Sequence, residues 1–184
     1  KYADSSIRLA ALLHDVGKPF CKLRDDNYHY HDKEGARIAL EICTRFKVPK
    51  KLTERVCALI SLHMYDLKGE AKENKVRKFI VRNYEYFDEL MLLKQADFSA
   101  CKDNLAVAPT VSKMKGILDK MISEKVPLTL KELVVRGNEL ISVGIRPERT
   151  GEALNKLLEA CAMGCVKNER DDLVKYALTV ANCE

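Results

Sequence analysis

Tryptophan is absent from this 184-residue chain, and glycine and proline are sparse, at eight and five residues. That composition excludes collagen-like repeats and Pro/Gly-rich disordered tracts. No apolar run approaches the roughly 20 residues needed to span a bilayer, so no membrane partner is expected. The opening Lys1-Tyr2-Ala3-Asp4 lacks the basic, apolar and small-residue succession of a secretory signal, and a cytoplasmic location is expected. An initiator methionine is also missing, so the chain is expected to be part of a longer protein. The cysteines number seven, and none forms a C-x-x-C pair; Cys161 and Cys165 come nearest, one helical turn apart. A disulfide framework favours an even count at tight spacings. Reduced, buried thiols are therefore expected.

What is present is ordinary for a globular protein, with 47% apolar and 32% charged residues. The length suits one domain plus a small appended one. Apolar residues recur at spacings of three and four and strict alternation is rare, so the expected fold class is all-α. The pattern predicts helices over 4–15, 33–46, 51–65, 72–83, 86–101, 110–124, 150–162 and 168–181. Gly17-Lys18-Pro19 should end the first, with glycine as C-cap and a proline that cannot continue the helix. Asp32 is the expected N-cap of the second. Gly164 should close the helix over 150–162, and Asn168 should cap the next. At Glu124-Lys125-Val126-Pro127 the texture changes to short, glycine-punctuated apolar pieces, which divides the chain into 1–126 and 127–184. Up to Lys125 there are 24 basic and 18 acidic side chains; from Pro127 on there are 8 and 9. The net +5 thus sits in the first part and fits a polyanionic partner.

Leu12-Leu13-His14-Asp15-Val16-Gly17-Lys18-Pro19 is the most informative stretch. His14 and Asp15 offer adjacent nitrogen and oxygen donors at the end of an apolar helix, a pair suited to Mn, Fe, Ni or Mg. Asp97 lies on the apolar stripe of its helix between Leu93 and Cys101, where an unpaired carboxylate costs several kcal/mol, roughly, if buried. Either a metal shared with His14 and Asp15 balances it, or an ion pair with Arg8, Arg37 or Arg77 does. His63 continues the stripe of Leu52, Val56, Leu59 and Ile60, as a ligand or as a satisfied core residue. His31 stands near a helix start that favours the neutral imidazole, which serves either a metal or a loop. His29 reads as surface.

His14-Asp15 followed by a distant Asp97 resembles the HD superfamily of metal-dependent phosphohydrolases. In that family a further His precedes the pair by one helix, and residues 1–13 contain none. Members with two metals add two His between the pair and the last Asp, and His31 and His63 match that order. Leu13 to Pro19, His31 to Ala36, Leu59 to Met64, Val76 to Ile80 and Gln95-Ala96-Asp97 resemble one subgroup, the HD region of bacterial CCA-adding enzymes, tRNA nucleotidyltransferases of the poly(A) polymerase family. Leu130 to Leu133, Gly137 to Leu140, Gly144, Gly151 to Leu154 and Gly164 to Glu169 resemble the C-terminal region of the same enzymes. Pro147-Glu148-Arg149 departs from the glycine usual there. Their nucleotidyltransferase domain, with its Gly-Ser motif and paired carboxylates, has no counterpart in these residues, so the chain is expected to be the C-terminal portion of such an enzyme.

The resemblance implies one or two divalent ions on His14, Asp15, Asp97, His31 and His63, with Asp15 and Lys18 catalytic. Lys18 would neutralise charge growing on a phosphate, or simply answer the helix dipole. The implied substrate is a nucleotide or other phosphoester, a phosphomonoester or a 2′,3′-cyclic phosphodiester, and the implied partner is tRNA or another RNA. Lys47, Lys50, Lys51, Arg55, Lys75, Arg77, Lys78 and Arg82 are the candidate phosphate contacts; the alternative is that they are solvated helix faces. A catalytically silent tRNA-gripping scaffold and a stand-alone nucleotidase are the rival readings.

Overall fold

The computed structural model of the chain describes residues 4–102 and 106–181; Lys1-Tyr2-Ala3 and one of the seven cysteines, Cys183, lie outside that range. The fold is all-α, as expected. The helices are α1 (Ser5–Leu13), α2 (Lys18–Asp25), α3 (His31–Arg45), α4 (Lys50–Leu62), α5 (Glu73–Arg82), α6 (Phe87–Lys102), α7 (Pro109–Ser123), α8 (Gly137–Ser142), α9 (Thr150–Ala162) and α10 (Arg170–Ala181), with three short 3-10 turns and no strand among the described residues.

Local chemistry explains where these elements depart from the sequence pattern. The helix α2 was not expected, because Pro19 read as a terminator. It stands instead in the first turn of a new helix, where a missing N–H costs nothing. Gly17 is not a left-handed cap either, since its φ is −77°. Its small size matters for another reason: a Cβ there would lie 2.6 Å from the Gly35 nitrogen and closer still to the His31 carbonyl oxygen. The turn carrying His14 and Asp15 thereby rests on the backbone of α3. That helix opens at His31, not Asp32, after Tyr30 in the left-handed region, and Asp32 and Glu34 fall in its first turn. Asn168 does not cap α10. Its side chain accepts from the Val134 N–H at 3.1 Å and donates to the Glu132 carbonyl at 2.9 Å, tying two loops together.

The chain forms two compact units. The first comprises residues up to Glu70 together with Glu85–Lys113. In it α3 packs on α4, α1 on α4 and α6, and α2 on α3, around Ala10, Ala39, Cys43, Val56, Leu59, Ile60, Leu90 and Leu93. The second comprises Ala71–Tyr84 and the residues from Met114 on. Here α9 is central, with α5, α8 and α10 against it and Val76, Ile80, Leu140, Leu157 and Leu173 in the core. Each such aliphatic contributes about 1.5–3 kcal/mol by leaving water. The α5–α9 contact is also ionic: the largely buried Glu159 takes Lys78 at 2.8 Å and Arg82. The cysteines among the described residues are free thiols, with Cys21, Cys43 and Cys161 buried.

Candidate metal centre

Within the first unit, the ends of three helices and the middle of a fourth bring the singled-out donors together. His14 caps the C-terminus of α1, Asp15 follows it, His31 opens α3, His63 caps α4 and Asp97 lies within α6. His14 Nε2 is 3.4 Å from Asp15 Oδ2 and 3.4 Å from Asp97 Oδ1; His31 Nε2 is 3.4 Å from Asp15 Oδ1. The His63 ring stands edge-on to both other imidazoles, with centroids 5.3 Å apart in each pair.

The three imidazoles are held in one way. Nδ1 of His14, His31 and His63 lies 2.8, 2.7 and 2.6 Å from the carbonyls of Ala11, Tyr28 and Ile60, each three residues earlier. A carbonyl can only accept, so Nδ1 carries the proton and Nε2 of the neutral ring presents a bare lone pair. Nε2 of His31 and of His63 is buried and hydrogen-bonded to nothing, which costs about 1–3 kcal/mol per atom unless an electrophile meets it. Donor atoms of Asp15, His31 and His63 all lie within 4.8 Å of one another. Ligands about 2.0–2.3 Å from one ion can stand at most about 4.6 Å apart, so adjustments of tenths of an ångström would suffice. Orphaned nitrogens, a carboxylate and backbone-anchored Nδ1–H groups are the donor set and outer shell that a divalent cation requires. The residues fit such an ion.

Electrostatics supports the same arrangement. Burial pushes the His63 imidazole below its ordinary value and keeps it neutral. Burial raises the Asp15 carboxyl, but the Lys18 hydrogen bond leads the opposing effects, and the net shift is downward. Lys18 Nζ is 2.6 Å from Asp15 Oδ2. Asp97 is less buried than its place on the helix stripe suggests, with 32% of its side chain exposed. Its neighbours are His14 and the Cys101 thiol, whereas Arg37 pairs with Glu34 and Glu41 and Arg77 with Glu73 and Glu124. His29 is exposed in the loop before α3.

Two parts of the centre escaped the sequence reading. The anchoring carbonyls of Ala11, Tyr28 and Ile60 are backbone atoms and leave no side-chain signal. Lys94, only 3% exposed, donates to the carbonyls of His63 at 2.8 Å and Tyr65 at 2.5 Å and so secures the turn that carries His63. Burial pushes its ammonium down to about 8. A signal existed here: Lys94 is a charge on the apolar face of α6, one turn before Asp97.

The basic candidates fall into two groups. Lys47, Lys50, Lys51 and Lys75 are exposed. Arg55 is bound to Glu89 and the Glu85 carbonyl, Lys78 and Arg82 to Glu159, and Arg77 is 7% exposed between Glu73 and Glu124.

Comparison with known proteins follows the same line. The HD domain family model matches residues 3–98. An A-adding tRNA nucleotidyltransferase of Deinococcus radiodurans is 34% identical over 88% of this chain and 39% of its own length. A CC-adding tRNA nucleotidyltransferase of Thermus thermophilus is 31% identical over 89% and 38%. A multifunctional CCA protein of Legionella pneumophila is 23% identical over 88% and 37%. The chain thus spans less than two-fifths of the length of these relatives. No solved structure matches it. No helix among the described residues is long and apolar enough to cross a membrane.

Proposed function

Because the chain belongs to the HD domain family, we propose that it is the metal-dependent phosphohydrolase portion of a tRNA nucleotidyltransferase, acting on tRNA in the cytoplasm. The metal-binding part lies within 1–126, and the tail, 127–184, serves RNA binding. The observation that carries this reading is the set of three imidazoles with Nδ1–H bonded to backbone carbonyls and Nε2 turned to the Asp15 cluster. His14, Asp15, Asp97, His31 and His63 would hold one or two ions of the Mn, Ni, Fe or Mg type. Such an ion supplies Lewis acidity toward a phosphoryl oxygen and a more acidic water. The chain's own contribution is positional. Backbone carbonyls fix the rings, Lys18 holds Asp15 ionised, and its ammonium stands beside the centre to meet phosphate charge. The substrate is a phosphomonoester or a 2′,3′-cyclic phosphodiester, and exposed Lys47, Lys50, Lys51 and Lys75 contact RNA phosphates without reading bases.

One observation favours a second reading, the silent scaffold: Lys18 already neutralises Asp15 at 2.6 Å. Titration with Mn²⁺ or Ni²⁺ followed by hydrolysis assays separates the two. Ion at 100 times its Kd should stabilise the chain by about 2.7 kcal/mol, and Asp15→Ala should lose that gain. In a parent enzyme Asp15→Ala should also abolish hydrolysis while leaving nucleotide addition intact. Metal-dependent hydrolysis by the wild type selects the phosphohydrolase; its absence, with or without ion binding, selects the scaffold.

A further inference from the structure

The loop after α4, residues 63–70, opens on His63 and is gripped at both ends by ammoniums from other helices. At the near end Lys94 of α6 donates to the His63 and Tyr65 carbonyls. At the far end Lys113 of α7 donates to the Gly69 carbonyl at 2.7 Å. Between these grips the loop is tied to itself. The Gly69 N–H meets the Asp66 carbonyl at 3.0 Å, and the Glu70 N–H meets Asp66 Oδ1 at 2.7 Å. Asp66 and Gly69 both take the left-handed backbone, φ 50° and 70°, which aspartate tolerates and glycine adopts freely. Gly69 also lies close against α7: a Cβ there would stand 3.2 Å from the Pro109 carbonyl carbon and oxygen.

The first turn of α7 is itself fixed in the first unit. The Gln95 side chain accepts from the Ala108 N–H and donates to the Ala106 carbonyl, each at 2.9 Å, and Thr110 and Val111 are buried. One turn of α6 therefore supplies Lys94 to the loop, Gln95 to the approach of α7 and Asp97 to the centre. This chain of contacts ends on one imidazole. His63 is 3% exposed and its Nδ1–H is bonded to the Ile60 carbonyl, so the ring follows the backbone at the end of α4. Lys94 holds only the start of the loop; a charge-assisted bond from Lys113 holds its end. We propose that Lys113 is a positioning residue for His63: by keeping Gly69 on the first turn of α7 it keeps the loop closed and the His63 Nε2 lone pair directed at the Asp15 cluster. Lys113 lies past residue 98, where the HD domain match ends, so α7 adds a support to the centre from outside that match. The proposal rests on the reading of His63 as a metal ligand and adds what orients it.

Mn²⁺ titration and NMR of the imidazole nitrogens, both on the full chain, test it. Lys113→Met keeps the apolar stem and drops the ammonium. It should weaken Mn²⁺ binding about tenfold, as loss of a ligand's support does, and should shift the His63 ring nitrogens before any ion is added. Lys113→Arg can still donate to the Gly69 carbonyl and should retain wild-type affinity and ring signals. Gly69→Ala, which pushes the loop off the Pro109 backbone with Lys113 intact, should reproduce the Lys113→Met result. In a His63→Ala background Lys113→Met should cost no further affinity, because residues that act through one another are not additive. A Lys113→Met chain that melts lower yet keeps wild-type Mn²⁺ affinity and His63 signals would overturn the proposal, since the contact then supports the fold alone. An affinity loss of equal size with and without His63 would overturn it as well. The ring signals need no ion. If the wild type binds no divalent cation, the metal reading of the centre fails by itself, and the response of the His63 signals to Lys113→Met still decides the role of Lys113.

Discussion

Substituting Gly17 by alanine isolates the contact on which the centre is assembled. The backbone at Gly17, φ −77° and ψ −18°, is one alanine adopts freely, so the change should gain about 0.4–1 kcal/mol from reduced freedom of the unfolded chain. Opposing that gain, the new Cβ falls 2.6 Å from the Gly35 nitrogen and nearer still to the His31 carbonyl oxygen. Both are backbone atoms with no rotamer to yield, so α3 itself must move. Overpacking of this kind costs about 1–3 kcal/mol, leaving a net loss of about 1–2 kcal/mol. For a chain of this size that lowers Tm by about 2–8 °C. Because the displaced carbonyl belongs to His31, Mn²⁺ affinity should fall about 10–100-fold, as it does when groups supporting a ligand are disturbed. Gly116→Ala is the matched control: it lies inside α7 with open space around its Cβ, and it should gain about 1 kcal/mol with no change in ion binding. Differential scanning calorimetry and ion titration read both effects. A Gly17→Ala protein that melts at or above wild type with undiminished Mn²⁺ affinity would refute the reasoning.

Glu159→Gln should destabilise the chain at pH 7 and flatten its acid limb. Burial raises the Glu159 carboxyl, but Arg82 and Lys78 more than reverse this and hold it low, so its contribution is present above the ordinary Glu pKa and is lost as pH falls through the lowered value; urea denaturation between pH 7 and 3 measures it. Lys94→Met removes the donor from the His63 and Tyr65 carbonyls, and should cost about 1–2 kcal/mol and weaken Mn²⁺ binding, both visible in a thermal melt with and without ion. Lys50→Ala combined with Lys51→Ala should weaken RNA binding and reduce its salt slope by about 1.5–2. Arg77→Ala should lower stability by about 1–2 kcal/mol, because its ion-pair partners Glu73 and Glu124 are themselves part-exposed; filter binding and calorimetry distinguish the two.

The helical fold and the cluster of candidate donors His14, Asp15, His31, His63 and Asp97 were readable, because periodicity and the adjacency of His and Asp are side-chain properties. What it concealed was carried by backbone. Pro19 has the same identity whether it stops a helix or starts one, and only the following turn decides. Gly17 suits both a left-handed cap and a close approach, and the second applies. The reading of Asp97 as deeply buried came from its place on the α6 stripe, yet a stripe does not reveal that the helix edge there meets solvent. Arg77 read as a phosphate contact or a partner of Asp97 because the carboxylate it meets, Glu124, is far away in sequence.

The pairing of α5 with α9 has a consequence for how the chain is made. Arg82 and its partner Glu159 are 77 positions apart, whereas every residue of the first compact unit has been synthesised once Lys113 is in place. At about 5–20 residues per second, α5 leaves the ribosome roughly 4–15 seconds before the helix that covers it. Through that interval the apolar side of α5, with Val76, Phe79 and Ile80, is open to chaperones or to another nascent chain. Synonymous codon changes that slow translation between Asn83 and Thr150 would lengthen this exposure, and the yield of folded protein would fall without any change in its amino-acid sequence.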